Sequence, residues 1–441
     1  MEIGRHLTKG IWGLADKSLP AVYGLGYVWL VIRVLPEEEF GNFVLVQEAF
    51  LVISGLATAF ALQPLLKYAA EEGAGGDGIV GAALILNAAF VAAASIAVAA
   101  LSGAAGSLLH APGLTPLLVM VPAMLVASFF RNFTLTILQA RFMVREVFWT
   151  DAVHFLGAPL MVWVASRMHM FDSAMAMVNV TLVSLGASSL AGLWFARGML
   201  TGSARASRTA LRTVWDYGKY SLGGVVSSLF STKADSFILS AFTGPVQVAV
   251  YNSAKVFVRV YETASQVVQM FVLPAASRLA SQGKGTSLNA LTEKAVLFVT
   301  VGLLPVTFLF WAFPGLLVNV LYGGRYAEAE PILRIFALLT FVVPLAAVGS
   351  NVLMGLGEAR LSFLLGLEIL AGSLAAFLLC IPPWGATGAG AGYALASLVT
   401  ALLTLRYLRR FVPLTAAGVV RRVIDIREFL RKKFSITETK R

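Results

Sequence analysis

Apolar residues run along this chain in stretches of roughly 20, the length a helix needs to cross a bilayer, divided by short turns rich in Gly, Pro and charged residues. These runs predict about twelve helices, near 12–33, 42–66, 79–101, 114–138, 147–166, 174–196, 219–242, 247–274, 296–319, 331–355, 361–381 and 386–405. The eighth run departs from the rest. Within Tyr251 to Pro274, Lys255, Arg259 and Glu262 recur at i, i+4 and i+7, with Tyr251 one turn before them and Gln266 and Gln269 after. A period of 3.6 gathers these side chains on one face, leaving Val256, Val258, Val260, Val267 and Phe271 for the other. A charge at membrane depth costs about 2.5–3.5 kcal/mol on insertion scales, so the stripe is expected to face a wet cavity or an ionic partner.

Composition agrees with the pattern. Of 441 residues, 58% are hydrophobic and 13% charged, and the mean hydropathy is +0.80, whereas soluble domains carry about a quarter charged residues. The expected fold is therefore all-α, a polytopic membrane protein. The net charge of +11 does not indicate nucleic acid, because Lys and Arg sit mostly in short loops and the C-terminal tail, with no aromatic-interleaved basic domain. One set of connections holds Lys67, Arg141, Arg145, the run Arg197 to Lys219, Arg278, Lys284, Lys294 and Arg360, while the opposite set holds only Arg167 and Arg325. That asymmetry places both termini in the cytoplasm. The N-terminus, short and basic with no small-residue cleavage site behind it, predicts no removable signal peptide. The single cysteine, Cys380, lies in an apolar run, so no intramolecular disulfide is possible.

The longest connection, about 197–218, divides the chain into an N-terminal six-helix bundle, 1–205, and a C-terminal one, 206–410. Each half repeats an apolar helix, a short turn and a polar-flecked helix closing near a proline (QPLLK, LPAASR). Repeat-built transporters hold substrate near the midplane between repeats. The tail, 411–441, reads as a cytoplasmic basic amphipathic helix: Val419, Val423, Ile426 and Leu430 form a stripe, with Arg421, Arg422, Arg431 and Lys432 away from it. A helix of that kind lies on an anionic leaflet.

Several segments carry a family likeness: RVLPEEEFGNF after the first run, KADSFILSAFTGPVQVAVYNSAK, LPAASRL, LYGGRYAEAEPILRIFAL, MGLGEAR and WGATGAGAGYALAS. In their order and spacing the chain resembles, over about residues 5–410, the polysaccharide flippases. These are the O-antigen and exopolysaccharide transporters of the multidrug/oligosaccharidyl-lipid/polysaccharide exporter superfamily. The resemblance implies two six-helix bundles around a central cavity, working by alternating access. It also implies a polyprenyl-pyrophosphate-linked oligosaccharide as cargo, moved from the cytoplasmic to the outer leaflet of a bacterial or archaeal inner membrane for lipopolysaccharide or exopolysaccharide assembly. The partners it implies are that lipid-linked oligosaccharide, membrane lipids, and a polysaccharide polymerase with its chain-length proteins. No cofactor is expected.

A diphosphate crossing the bilayer centre needs cationic partners in a low-dielectric site. Lys255 and Arg259 suit that task, or they form a structural ion pair with Glu262 or Asp235. Asp235, in the polar patch Ser227 to Ser236, is expected either to bind a coupling cation or proton or to neutralise Lys255. Arg131 with Asn132, Lys233, and Lys17 form a second tier of substrate cations. Lys17 and Asp16 lie near a helix end, where snorkelling also accounts for them; Glu48 is either a cavity carboxylate or interfacial. Arg131 requires an anion, from substrate or from a carboxylate on another helix, and Glu368 is expected to pair with Arg360.

Other classes find less support. The histidines are scattered singly, so no metal site is predicted, and no GxxxxGK[ST] loop indicates direct use of ATP. A multidrug exporter of the same superfamily would favour acidic and aromatic cavity residues, whereas the eighth run is net basic. A membrane enzyme needs substantial exterior loops, and those here are about ten residues or fewer. A scaffold of a polysaccharide assembly complex is the remaining alternative.

Overall fold

The computed structural model describes residues 2–71, 78–167, 173–200 and 206–423, and every regular element among them is helical. The helices are α1 (Glu2–Val34), α2 (Glu37–Ala57), α3 (Gln63–Glu71), α4 (Ile79–Leu108), α5 (Leu114–Leu118), α6 (Val121–Ala140), α7 (Val144–Arg167) and α8 (Ala174–Leu200). There follow α9 (Arg208–Thr243), α10 (Pro245–Lys255), α11 (Arg259–Ser281), α12 (Gly285–Ala312) and α13 (Pro314–Tyr322). The last are α14 (Ala329–Ala337), α15 (Leu339–Gly355), α16 (Ala359–Leu408) and α17 (Ala416–Arg421).

Every predicted span falls in helical chain, but several are interrupted. Between α2 and α3, Thr58–Leu62 winds as a π-helix. Phe313, with φ −128°, separates α12 from α13 inside the ninth predicted span. Gly385 is non-helical within α16 and divides it into two arms, consistent with two spans. Among the described residues, 7 helices are long and apolar enough to cross a membrane, or 8 if the pair α14 and α15, bent by 52°, counts as one span. The others are more polar or shorter, which is why twelve holds only approximately. The start signals are local. Three glutamates open α2, where the helix dipole favours negative charge. The Ser207 hydroxyl caps α9 by accepting from Ala210 N at 3.0 Å. Pro245 begins α10 after Gly244, whose φ of 82° favours glycine.

The chain forms two compact units: residues 1–256 with 321–323, and residues 257–320 with 324–441. The sequence reading instead divides the chain at 205/206. The difference lies in α9 and α10, which pack on α2, α4 and the π turn of the first unit. Two glycines make that packing possible. A Cβ on Gly41 of α2 would stand 1.9 Å from Pro245 O, and one on Gly218 of α9 would stand 2.0 Å from Phe60 O in the π turn. In both places backbone meets backbone, so no larger residue fits without moving a helix. Leu62 of the π turn, Leu65, Ala82, Phe133, Ile137 and Val214 form a buried cluster joining the turn to α3, α4, α6 and α9.

The second unit has its own core, in which Val268, Val272 and Ala276 of α11 pack with Val348, Val352 and Leu408. Tyr261 is buried here and donates to Phe336 O at 3.0 Å. Glu368 meets Tyr407 rather than the expected Arg360: the Tyr407 hydroxyl donates to its Oε1 at 2.8 Å. The two arms of α16 fold so that a residue 39 positions away supplies the donor. Just after α17, Arg422 reaches back to Glu293 of α12, Nε to Oε2 at 2.8 Å. The predicted tail helix beyond residue 423 lies outside the described residues.

Candidate functional site

Four of the residues singled out from sequence come together in the first unit: Glu48 of α2, Lys233 and Asp235 of α9, and Lys255 at the end of α10. Asp235 is fully buried. Its Oδ2 accepts from Lys255 Nζ at 2.6 Å and from the Tyr251 hydroxyl at 2.5 Å, while Oδ1 accepts from Ser236 N at 2.8 Å. Helical spacing arranges this, because Tyr251 and Lys255 are one turn apart and so project from α10 together. Lys255 also donates to Thr232 O at 3.2 Å and lies 5.4 Å from the centre of the Tyr251 ring.

The Glu48 half of the cluster is looser. Its Oε1 stands 3.4 Å from Lys233 Nζ and 3.8 Å from Lys255 Nζ. Its Oε2 is buried and has no hydrogen-bond partner among the described residues. Lys233 keeps 30% of its side chain exposed, against 13% for Lys255. Two carboxylates thus balance two ammonium groups, so that burial is tolerable, with one ammonium held tightly and the other partly available.

Arg131 sits elsewhere in the same unit. Its anion is the carboxylate Asp151 of α7, which pairs with Nη2. Nε donates to Ser188 at 3.1 Å, Nη1 to Asn132 at 3.3 Å, and the backbone N–H to Ser189 at 3.0 Å. Close by, His154 Nδ1 and Ser184 Oγ are 2.9 Å apart, and Tyr27 stacks on Tyr23 at 4.7 Å. The sequence reading of Arg131 allowed such a carboxylate but did not identify it. A lone Asp in the apolar run WTDAVHF was the available signal, since it bears the same burial cost as Arg131.

The remaining candidates are dispersed. Asp16 is buried in α1, and the side chain of Lys17 lies outside the described residues. Arg259 is half-buried and Glu262 exposed, both on α11 of the second unit. A 3₁₀ turn, Val256–Val258, separates Lys255 from Arg259, so the stripe predicted for one uninterrupted helix is divided between two. Just before the predicted span 219–242, Asp216 accepts from Lys219 at 2.7 Å, which holds the Asp216 carboxyl below the ordinary value, with Arg212 adding to the effect. No group of three or more His, Cys, Asp or Glu able to hold a metal occurs among the described residues.

Long apolar helices with paired charges between them define a multi-pass membrane protein, and comparison with solved structures gives its fold. The chain superposes on a multidrug resistance MATE family transporter of the MOP superfamily, in an inward-facing conformation, with TM-score 0.71 and 15% identity, over 90% of this chain and 97% of that one. It superposes on the lipid II flippase MurJ, inward closed, with TM-score 0.72 and 12% identity, over 93% and 89%. A MOP superfamily transporter from Pyrococcus furiosus, described as having a binding pocket of reverse polarity, gives TM-score 0.60 at 15% identity, over 91% and 93%. The chain belongs to the family of polysaccharide biosynthesis proteins, whose pattern it matches over residues 30–331. It is also 28% identical over 184 residues to the membrane protein MJ1068 of Methanocaldococcus jannaschii, covering 42% of this chain and 36% of that protein. The family match and the apolar helices together mark a multi-pass membrane protein of polysaccharide biosynthesis, with the fold that these solved structures share.

Proposed function

We propose that this protein is a flippase that carries a polyprenyl-pyrophosphate-linked oligosaccharide from the cytoplasmic to the outer leaflet, for assembly of a cell-surface polysaccharide such as O-antigen or exopolysaccharide. The observation that carries the reading is the buried cluster Glu48, Lys233, Asp235 and Lys255 inside a member of the polysaccharide biosynthesis family. Lys233 is the cation that meets the diphosphate first, because it is the more exposed ammonium and its one carboxylate is shared. Lys255 contributes from behind, and Asp235 holds it in place. Arg259 is the corresponding cation of the second unit, and the C-terminal bundle is the other half of the transport cycle. Arg131, already held by Asp151, positions α6 rather than binding cargo directly. Lys17, Asp16 and Glu262 are assigned supporting charges around the path. The likeness in fold to the lipid II flippase MurJ supports a lipid-linked cargo.

The test is flipping in proteoliposomes. A fluorescent polyprenyl-pyrophosphate oligosaccharide is placed in both leaflets, and the fraction reachable by an external glycosidase is followed. The wild type is expected to expose the protected pool, and the Lys233→Glu, Lys255→Ala variant to leave it protected at equal protein content. Wild-type liposomes that leave the pool protected while exporting cationic dyes would replace this reading with the exporter.

A further inference from the structure

A second polar site in the first unit lies apart from the lysine cluster. α2, the π turn, α4 and α6 enclose a small pocket whose polar lining is Ser54, Thr58, Asn87, Ser128 and Asn132, with Leu125 and Phe129 among its apolar residues. Asn87 is 2% exposed, and its Oδ1 is buried with no hydrogen-bond partner among the described residues. An amide left in this state in the middle of an otherwise alanine-rich helix calls for a donor that the protein does not supply. The other groups are already directed. Asn132 donates to Ser54 at 3.1 Å and accepts from Arg131, and Ser128 donates to Leu125 O at 3.1 Å. Thr58 opens the π turn, an irregularity common at functional positions.

The chemistry of the lining selects the ligand. No charged side chain among the described residues lines the pocket, so a cation would exchange its hydration for neutral oxygens alone, which is unfavourable in a low-dielectric interior. A neutral hydroxyl fits: it donates to Asn87 Oδ1 and accepts from Ser54 or Thr58. Ser54, Thr58, Phe129 and Asn132 are only half-buried, so the pocket opens on that side, where a hydroxyl attached to something larger can enter. The space holds about one water-sized group, so it admits a hydroxyl at the edge of a sugar ring while the ring itself stays outside. We propose that this pocket is a saccharide subsite that receives one hydroxyl group of the cargo, with Asn87 as acceptor. The proposal rests on the flippase reading and specifies which part of the cargo the first unit recognises.

The experiment compares two probes in nanodiscs carrying the full chain: polyprenyl pyrophosphate bearing its oligosaccharide, and bare polyprenyl pyrophosphate. The wild type is expected to bind the saccharide-bearing lipid more tightly. Asn87→Leu should remove about five- to tenfold of that advantage, the worth of one buried hydrogen bond, while leaving affinity for the bare lipid unchanged. Thr58→Val should act in the same direction by a smaller factor, and it serves if Asn87→Leu does not fold. Retention of the full saccharide advantage in both variants, with a change only in Tm, would overturn the subsite and assign the pocket to an internal water. Wild-type protein that binds neither probe would overturn the flippase reading and the subsite with it. Binding of both probes with equal affinity would overturn the subsite alone.

Discussion

Two buried clusters in one unit treat their cations differently. Arg131 has a partner on each side-chain nitrogen, including the carboxylate of Asp151, and only 12% of either side chain remains exposed. The lysine cluster is asymmetric: Asp235 accepts three hydrogen bonds, whereas Glu48 shares one oxygen between two ammonium groups at 3.4 and 3.8 Å and leaves the other unpartnered. A saturated arginine offers nothing to an incoming phosphate without breaking its own bonds. A lysine beside an under-used carboxylate can change partners at low cost. The first arrangement is suited to holding helices together and the second to binding an anion that must later leave.

Breaking the saturated cluster should have the largest effect. Asp151→Ala leaves the Arg131 guanidinium buried and uncompensated, a loss of about 3–5 kcal/mol, seen as a large fall in Tm or in the yield of folded protein. Removing both partners, as Arg131→Leu with Asp151→Leu, should recover much of it, since an apolar pair leaves no buried charge. Gly218→Ala comes next, at about 1–3 kcal/mol, because the new methyl must displace Phe60 O across the α9 contact with the π turn. Lys233→Met should change Tm little, the side chain being 30% exposed, yet weaken binding of a pyrophosphate lipid about tenfold, the worth of one charge-assisted hydrogen bond. Glu48→Gln sharpens the contrast by its sign. It removes the carboxylate competing for both lysines and should strengthen pyrophosphate-lipid binding. The smallest effect belongs to the exposed pair Arg212 and Asp216, where Arg212→Ala should leave the melting curve unchanged within error.

Much of this was legible in the sequence, and the reasons differ from place to place. The spans of α4, α8 and α12 follow from long runs that are mostly apolar and free of charge, because a bilayer demands about 20 such residues whatever the tertiary structure. The charges of the lysine cluster were visible singly, since each violates that apolar demand. Their convergence was not, because Glu48 and Lys233 lie 185 positions apart in sequence and meet through the packing of α2 on α9. The 3₁₀ turn after Lys255 and the π turn after Ala57 escaped a reading that assumes 3.6 residues per turn throughout. Gly218 and Gly41 looked like two of 40 glycines, and only backbone approach distances distinguish them. Asn87 was hidden for a similar reason: one amide in an alanine-rich helix is unremarkable until its neighbours are known.

The central claim is that the lysine cluster is a site for the cargo's diphosphate. It is tested most directly by titrating bare polyprenyl pyrophosphate into nanodiscs of wild type, Lys233→Met and Arg131→Leu/Asp151→Leu, with Tm recorded for each. The account predicts an affinity loss of about tenfold for Lys233→Met at near-constant Tm, and wild-type affinity for the arginine-pair variant despite any change in its stability. Unchanged affinity in Lys233→Met, together with a loss in the arginine-pair variant, would contradict it and move the anion site to Arg131.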